Sequence, residues 1–252
     1  MGEKKDNMFS DITYDDFRRF AKDSGLSRYE KIGFPDSYRE GYERHIFSDI
    51  MKKLPDLNAE GKVVVDIGPG CSELPEMLID LCESRGHTLV LVDSAEVLDL
   101  LPDKPFITKV QGRYPEESGV NMESFLGRVD VLICYSVLHY IFAESNVFAF
   151  LDQAAALLAE GGRMLVGDIP NVSKRKRFFA SPAGVRFHQK FTGNNAVPEV
   201  EFNQAEPRKI DDAVVLAILM RLRASGFDVY VMPQEPELPM ENRREDLLIC
   251  RP

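Results

Sequence analysis

The sequence of 252 residues contains few cysteines and no long hydrophobic run. Its four cysteines, Cys71, Cys82, Cys134 and Cys250, lie far apart, without the paired spacing of a metal site. We therefore expect reduced, buried thiols in a cytoplasmic protein, and no metal. No apolar stretch approaches the roughly 20 residues that a membrane-spanning helix needs, so no membrane partner is expected.

An excess of positive charge is also missing. Acidic residues outnumber basic ones by 41 to 31, which gives a formal net charge of −10. Such a charge repels the phosphates of DNA and RNA, although a local basic patch could override the repulsion. We therefore expect no nucleic-acid partner. The hydrophobic share of 44%, without low-complexity tracts, is typical of a globular protein with a sizeable core.

The first part of the chain has helical patterns. Thr13 can cap a helix that Gly25 would end, and Ser37 has capping-box spacing to Glu40. Apolar and aromatic residues then recur every four positions, which predicts one amphipathic helix from Ser37 to about residue 53. Residues 1–58 are thus expected to form a helical N-terminal cap.

From residue 62 onward, apolar strand-like runs alternate with helical patterns. Strands this apolar predict a parallel sheet that is covered on both faces. A pair of glycines at 161–162 is expected to stop the third of these helices. Strands are predicted at 63–67, 88–92, 106–110, 129–136, 163–167, 227–232 and 246–250, and helices at 73–84, 95–101, 147–159 and 211–224.

A glycine turn follows the first of these strands. Gly68 and Gly70 permit a close backbone approach to a ligand. A dinucleotide loop needs a third glycine, but Glu73 occupies that position, and Asp66 precedes the turn. Each carboxylate would repel a pyrophosphate by about a kcal/mol or more in a partly dry site. No Gly-Lys-Ser/Thr follows, which excludes a P-loop.

S-adenosylmethionine meets the requirements of such a turn, because it carries a sulfonium and an ammonium group and no phosphate. Nearby carboxylates favour these positive charges. Asp93 ends the next strand-like run, TLVLVD, 23 residues after Gly70. A carboxylate in that position can accept hydrogen bonds from both hydroxyls of a ribose.

Four ordered segments resemble the class I S-adenosylmethionine-dependent methyltransferases: VVVDIGPGCSE (63–73), LVLVDSAE (89–96), VDVLICYSVLHYI (129–141) and LLAEGGRMLVGD (157–168). The resemblance covers residues 59–170 and 211–252. It implies a three-layer, Rossmann-like α/β fold with a seven-stranded mixed sheet whose last strand is antiparallel. Residues 59–252 would form the S-adenosylmethionine-binding domain, with a lid inserted at about 171–210.

The resemblance also implies which residues bind the cofactor. Asp66, Gly68 and Gly70 would line the methionine side, and Asp93 would hold the ribose. Members of the family often place an acid after the third strand against the adenine amino group, whereas VQGRYPE (110–116) has no acid at that point. Backbone groups near Gly112 and Arg113 are the alternative. The remaining candidates for cofactor binding in these segments are Glu73, Ser94, Gly112, Arg113 and Ser136.

Two residues are candidates for catalysis. Methyl transfer depends largely on positioning, and a base is needed only when the acceptor is a hydroxyl. His139, just past the fourth strand, and Asp168, at the end of the fifth, lie where ligands of α/β sheets bind. As alternatives, His139 packs beside the cofactor and Asp168 caps a loop. His87 is expected at the surface.

A basic run, SKRKR (173–177), lies in the predicted lid of this acidic chain. Clustered basic residues suit a phosphate or carboxylate on the acceptor. The alternative is a solvated face without a ligand. The candidates for acceptor binding are Asn171, Lys174, Arg175, Arg177, Arg186 and His188.

Together these patterns predict an S-adenosylmethionine-dependent methyltransferase with a small-molecule acceptor. An anionic or sugar-like metabolite is expected, with oxygen favoured over nitrogen as the methylated atom. The alternatives are a non-catalytic S-adenosylmethionine-binding subunit and a nucleotide-dependent oxidoreductase. The identity of the acceptor and the oligomeric state are left open.

Overall fold

The computed structural model describes residues 12–252 and has a seven-stranded sheet at its centre. In chain order the strands are β1 (Val63–Ile67), β2 (Thr88–Asp93), β3 (Ile107–Gln111), β4 (Val129–Tyr135), β5 (Leu158–Pro170), β6 (Asp228–Met232) and β7 (Arg244–Cys250). Their order in the sheet is β3-β2-β1-β4-β5-β7-β6. β1 to β5 are parallel, and β7 runs antiparallel to both β5 and β6. The predicted mixed sheet is confirmed.

Helices cover both faces of this sheet. Within residues 12–252 they are α1 (Tyr14–Lys22), α2 (Arg28–Lys31), α3 (Asp36–Arg39), α4 (Glu43–Lys53), α5 (Glu73–Arg85), α6 (Ala95–Leu98), α7 (Leu138–Glu144), α8 (Val147–Ala156), α9 (Val172–Phe179), α10 (Pro182–Thr192) and α11 (Asp212–Ala224). On one face, Phe150 of α8 and Ile218 of α11 are fully buried. On the other, Ile50 of α4 and Ile79 of α5 are buried. The three-layer Rossmann-like architecture is therefore confirmed.

The start of the long cap helix is not where the sequence predicts it. Thr13 caps α1 as expected, and its side chain accepts a hydrogen bond from the backbone of Asp16. Ser37, however, lies inside the single turn of α3, and the long helix α4 begins only at Glu43. Gly41, with a positive φ of 83°, redirects the chain between these two helices. The prediction of one continuous helix from Ser37 is wrong.

The glycine pair does not stop a helix. α8 ends at Ala156, and Gly161 and Gly162 lie inside the 13-residue strand β5. A Cβ on Gly162 would come 2.7 Å from the carbonyl oxygen of Val129, so this glycine permits the close approach of β5 to β4. The local pattern does not reveal this, because the neighbouring strand is distant in sequence.

His87 is also placed differently from the prediction. Only 1% of it is exposed, and its Nδ1 accepts a hydrogen bond from the backbone of Lys62 at 3.0 Å. Its Nε2 lies 3.2 Å from the carbonyl oxygen of Leu57. His87 therefore connects the cap to β1 instead of lying at the surface. Within residues 12–252, no helix has both the length and the apolar character that would let it cross a membrane.

Candidate active site

A cavity of about 150 Å³ opens at the carboxyl ends of the parallel strands. In open α/β sheets this edge is where ligands bind. Turns after the strands contribute one part of its wall, and the cap helices contribute the other. The residues from the turns include Gly68, Gly70, Asp93, Gly112, Arg113 and Ser136, and those from the cap include Tyr14, Phe17, Ile32, Phe34 and Arg39.

The turn after β1 can only be made by glycines. Gly68 and Gly70 have positive φ values of 74° and 66°. A Cβ on Gly68 would come 2.5 Å from Val137, and one on Gly70 would come 2.7 Å from Ile32 of the cap. The two positions thus bring the backbone against the cap and the turn after β4, with no side chain between them.

Two buried carboxyl groups lie next to this turn. Burial and, to a smaller extent, the neighbouring charge of Asp93 together raise the pKa of Asp66 to about 8. Burial also raises the pKa of Asp93 to about 6, although bonds from the backbones of Ser94 and Gly70 oppose the rise. Its Oδ1 accepts from Ser94 N at 2.6 Å, and its Oδ2 from Gly70 N at 3.4 Å. Positive charge stabilises such groups, whereas a phosphate would destabilise them.

Three of the predicted cofactor residues do not line the cavity. Asp66 belongs to β1 and is only 5% exposed. Glu73 begins α5, where a carboxylate is favourable at the helix N-terminus. Its Oε1 also lies 3.5 Å from Arg28 Nη1. Ser94 caps α6, where its hydroxyl accepts from the backbone of Val97. For these three, direct contact with a cofactor is not supported, and their positions indicate local structural roles.

Arg39 is a candidate ligand residue that the sequence pattern did not single out. It is 3% exposed, lines the cavity, and has its guanidinium 4.4 Å from the centre of the Phe34 ring. Its Nη2 donates to Ser136 Oγ at 2.6 Å. The guanidinium also lies 3.6 Å from Asp168 Oδ2 and 3.8 Å from Glu43 Oε1, contacts long enough that a ligand carboxylate could compete for it. Among the aromatic residues of the cap, Phe34 lines the cavity and Tyr29 does not.

A second, larger cavity of about 550 Å³ adjoins the first. Phe34 and Tyr140 line both, so these two rings form the shared wall. Five basic side chains line the second cavity, and no acidic residue of the described chain does so. The basic residues are Arg175, Arg208, Lys209, Arg243 and Arg244. Arg244 pairs with Asp168, and Arg175 and Lys209 pair with Glu206, so Arg208 and Arg243 are the two without a carboxylate partner in the described chain.

His139 lines the second cavity and is positioned for contact with a ligand there. Its ring centre lies 3.9 Å from that of Tyr140, and its Nδ1 is buried without a hydrogen-bond partner in residues 12–252. Burial and, to a smaller extent, the positive charge of Arg244 lower the pKa of His139 to about 3, although Asp168 opposes the change. The imidazole is therefore neutral at physiological pH and can accept a proton only when its surroundings change.

Asp168 lines neither cavity, contrary to the expectation of an accessible base. It is 4% exposed, and its Oδ2 accepts from Ser136 Oγ and from Arg244 Nη1. Gln234 Nε2 lies 3.4 Å from the other oxygen. Both oxygens of the Asp168 carboxylate already accept hydrogen bonds within the protein, so the geometry favours a structural role. The catalytic assignment remains a prediction without a contact to support it.

Helix geometry separates the residues of the basic run. α9 turns about 100° per residue, so neighbouring side chains point in different directions. Arg175 lines the second cavity, while Lys174 donates to the carbonyl oxygen of Arg244 and Arg177 pairs with Asp212. The expectation that this run acts as one cluster is wrong.

The other residues that were predicted to bind the acceptor also lie apart from one another. Asn171 lines the second cavity and caps α9, where its side chain accepts from the backbone of Lys174. Arg186 is exposed on α10 and does not line the cavity. His188 packs edge-on against Phe179, with ring centres 6.3 Å apart. The cavity instead receives Arg243, which precedes β7, and Arg244, which begins it, and the adjacent arginines of ENRRE were the available signal.

Comparisons with known proteins concern the fold. No family model matches the sequence, and no curated protein matches it significantly. Among solved structures, the N-methyltransferase NodS from Bradyrhizobium japonicum, in complex with S-adenosyl-L-homocysteine, superposes with a TM-score of 0.57 at 13% identity, over 96% of this chain and 100% of that one.

Two further structures are similar. The CurJ carbon methyltransferase gives a TM-score of 0.56 at 15% identity, over 97% of this chain and 66% of that one. A chain of the complex between the Haloferax volcanii Trm112 methyltransferase activator and a methyltransferase gives 0.54 at 14% identity, over 94% and 97%. At identities this low, the structural similarity establishes the fold alone. The chain has the fold of the class I S-adenosylmethionine-dependent methyltransferases.

Proposed function

We propose that this protein transfers a methyl group from S-adenosylmethionine to a small anionic molecule. The observation that carries the proposal is the pair of adjoining cavities, which share Phe34 and Tyr140. The first has a glycine turn and the carboxyl group of Asp93, and the second has five basic residues and no acidic residue of the described chain in its lining. A donor and an acceptor held in adjoining cavities can meet with the geometry that methyl transfer requires.

The first cavity fits S-adenosylmethionine. Asp93 would accept hydrogen bonds from the ribose hydroxyls, and the backbone at Gly68 and Gly70 would pass close to the methionine part. The carboxylate of the methionine would need a cation, which Arg39 supplies from the cap. When bound, the sulfonium supplies an activated methyl group, and this chain orients it towards the second cavity.

The second cavity fits an anionic group. Arg243 has no carboxylate partner in the described part of the chain, and the positive charges of Arg244 and Arg175 act on it. Burial lowers the pKa of Arg243, and these two positive charges lower it further. A phosphate or carboxylate there would pair with Arg243, whereas Arg244 and Arg175 already pair with Asp168 and Glu206. The hydroxyl of Tyr38 could bond a hydroxyl of a sugar, whereas the amide of Asn171 is occupied by Asp212, Glu245 and the backbone of Lys174.

We propose an oxygen atom as the methyl acceptor and His139 as the group that receives its proton. An anion beside Arg244 would neutralise the charge that lowers the histidine pKa, so His139 would become more basic when the acceptor binds. Much of the rate would come from positioning, since the sulfonium is already activated. The four cysteines are free thiols, which fits the cytoplasmic location that we propose.

An acceptor screen tests the proposal. Purified protein with S-adenosylmethionine is offered matched pairs of sugars and small alcohols, with and without a phosphate or carboxylate, and release of S-adenosylhomocysteine is measured. We expect turnover only with anionic members. Turnover of the neutral partner at equal kcat/KM would contradict the anionic acceptor. Tight S-adenosylhomocysteine binding without turnover on any member would favour a non-catalytic subunit, and NAD binding alone would favour an oxidoreductase.

A further inference from the structure

We propose that Glu144, at the end of α7, recognises the exocyclic amino group of adenine in the first cavity. This inference rests on the proposed function, because it concerns the ligand of that same site. Its basis is an unpaired atom. Glu144 lines the cavity, and its Oε1 is buried without a hydrogen-bond partner in residues 12–252. A buried carboxylate oxygen without a donor is costly, and the amino group of a bound adenine would supply one.

The other carboxylate oxygen is already held. Arg113 Nη2 donates to Glu144 Oε2 at 3.0 Å, and the backbone of Tyr14 lies 3.4 Å from the same atom. The guanidinium of Arg113 in turn lies 4.7 Å from the centre of the Tyr14 ring. The carboxylate is thereby fixed in orientation between the turn after β3 and helix α1. Its Oε1 is the acceptor that remains for a ligand.

The position of Glu144 matches the adenine end of the ligand. Asp93, which would hold the ribose, ends β2, and its carbonyl oxygen accepts from Gly112 N at 2.9 Å. The cavity therefore continues from the ribose site towards the turn after β3, where Glu144 and Arg113 pair. A base attached to the ribose would lie at this end. The only hydrogen-bond donor on the adenine ring of a nucleoside is its amino group.

Two other side chains near this end, Glu117 and Gln111, do not take this role. Glu117 does not line the cavity, and its Oε2 accepts from the backbone of Arg113 at 2.9 Å. Gln111 is exposed and does not line the cavity either. The acid that is missing after the third strand is thus supplied by a helix that follows the fourth.

The experiment compares S-adenosyl-L-homocysteine with S-inosyl-L-homocysteine, in which an oxygen replaces the amino group. Calorimetry on the full chain gives both dissociation constants. Wild-type protein is expected to prefer the adenine ligand by at least about tenfold, or about 1.4 kcal/mol. Glu144→Gln can donate from its amide to the inosine oxygen, so its preference should fall at least about tenfold, to near unity. Glu144→Leu, which has neither group, should also lose the preference.

Two controls separate recognition from structural support. Arg113→Gln breaks the same ion pair from the other side but keeps the carboxylate, so the preference for adenine should persist. Asp93→Asn should weaken the binding of both ligands equally and leave the ratio of their dissociation constants unchanged. An unchanged ratio in the folded Glu144→Gln variant would overturn the inference while the proposed cofactor stands. Failure of wild-type protein to bind either ligand would overturn the proposed function and this inference together.

Discussion

Arg244 Nη1 lies 2.6 Å from Asp168 Oδ2, and this buried ion pair connects the start of β7 to the carboxyl-end segment of β5. The same oxygen accepts from Ser136, which lines the first cavity, while Arg244 lines the second. Asp168 therefore connects the walls of both cavities through its bonds to Ser136 and Arg244, although it lines neither cavity. This arrangement explains how a residue at the expected catalytic position can be inaccessible to an acceptor.

We expect Asp168→Asn to lower the free energy of unfolding by about 3 kcal/mol or more, because it leaves Arg244 buried and unpaired. Denaturant unfolding monitored by circular dichroism measures this change. The matched control is Asp152→Asn, which breaks the exposed pair with Arg221 and should cost less than about 1 kcal/mol. Unchanged stability in Asp168→Asn together with lost turnover would favour a catalytic base instead.

The stability of the ligand-free protein should fall as the pH rises from about 6.5 to 8. The pKa of Asp66 is raised from 3.8 in the unfolded chain to about 8 by burial, so its stabilising contribution is complete below 3.8 and is lost as pH rises through 8. His139 acts oppositely, because its lowered pKa removes stability as pH falls from 6.5 to about 3. Thermal melts of Asp66→Asn should lose the decline above pH 6.5. A wild-type slope in this variant would refute the assignment.

Arg39→Gln should weaken the binding of S-adenosyl-L-homocysteine by about 2 kcal/mol, since a charged hydrogen bond to the ligand carboxylate is lost. Binding of 5′-methylthioadenosine, which lacks that carboxylate, should change much less. Calorimetry with both ligands provides the comparison. Lys31→Gln, which removes another cation from the same cavity wall, is the control and should leave the ratio of the two affinities near wild type. Equal losses for both ligands would indicate general damage to the cap.

Arg243→Gln should raise the KM of an anionic acceptor about tenfold while the affinity for S-adenosylmethionine is unchanged, because the lost contact is to the acceptor alone. Steady-state kinetics and cofactor titration measure the two quantities. Arg177→Gln is the control, since Arg177 pairs with Asp212 outside the cavity. Equal effects of the two substitutions would show that general charge, and not the cavity, attracts the acceptor.

Gly70→Ala should reduce cofactor affinity and loosen the cap, because its Cβ would come 2.7 Å from Ile32. Gly61→Ala is the control: it has the same φ of 66°, but no atom lies within 4 Å of an added Cβ. Both should cost roughly 1–2 kcal/mol of stability for a left-handed alanine. Only Gly70→Ala should increase hydrogen exchange in residues 28–39. Similar exchange in both variants would show that the backbone conformation, and not the contact, matters.

Much of the sheet could be predicted because its strands are local patterns. Continuous apolar runs such as 63–67 indicate strands that are buried on both faces, whatever their neighbours are. The glycines at 68 and 70 and the acid at 93 likewise indicate a site at the carboxyl edge, since parallel strands end there together. These features depend on a few neighbouring residues and on the chemistry of their side chains.

Long-range packing decided the rest. Ser37 has the spacing of a capping box, but a turn at Gly41 takes precedence and leaves Arg39 buried against Phe34. The basic run around Arg175 looks like one cluster in sequence, yet a helix divides it and only one of its side chains reaches the cavity. Arg243 comes from a loop distant in the chain. The sequence alone determined which strands form and which chemistry their ends carry. Only the tertiary structure decided which charges meet, because contacts between distant segments depend on how helices turn and pack.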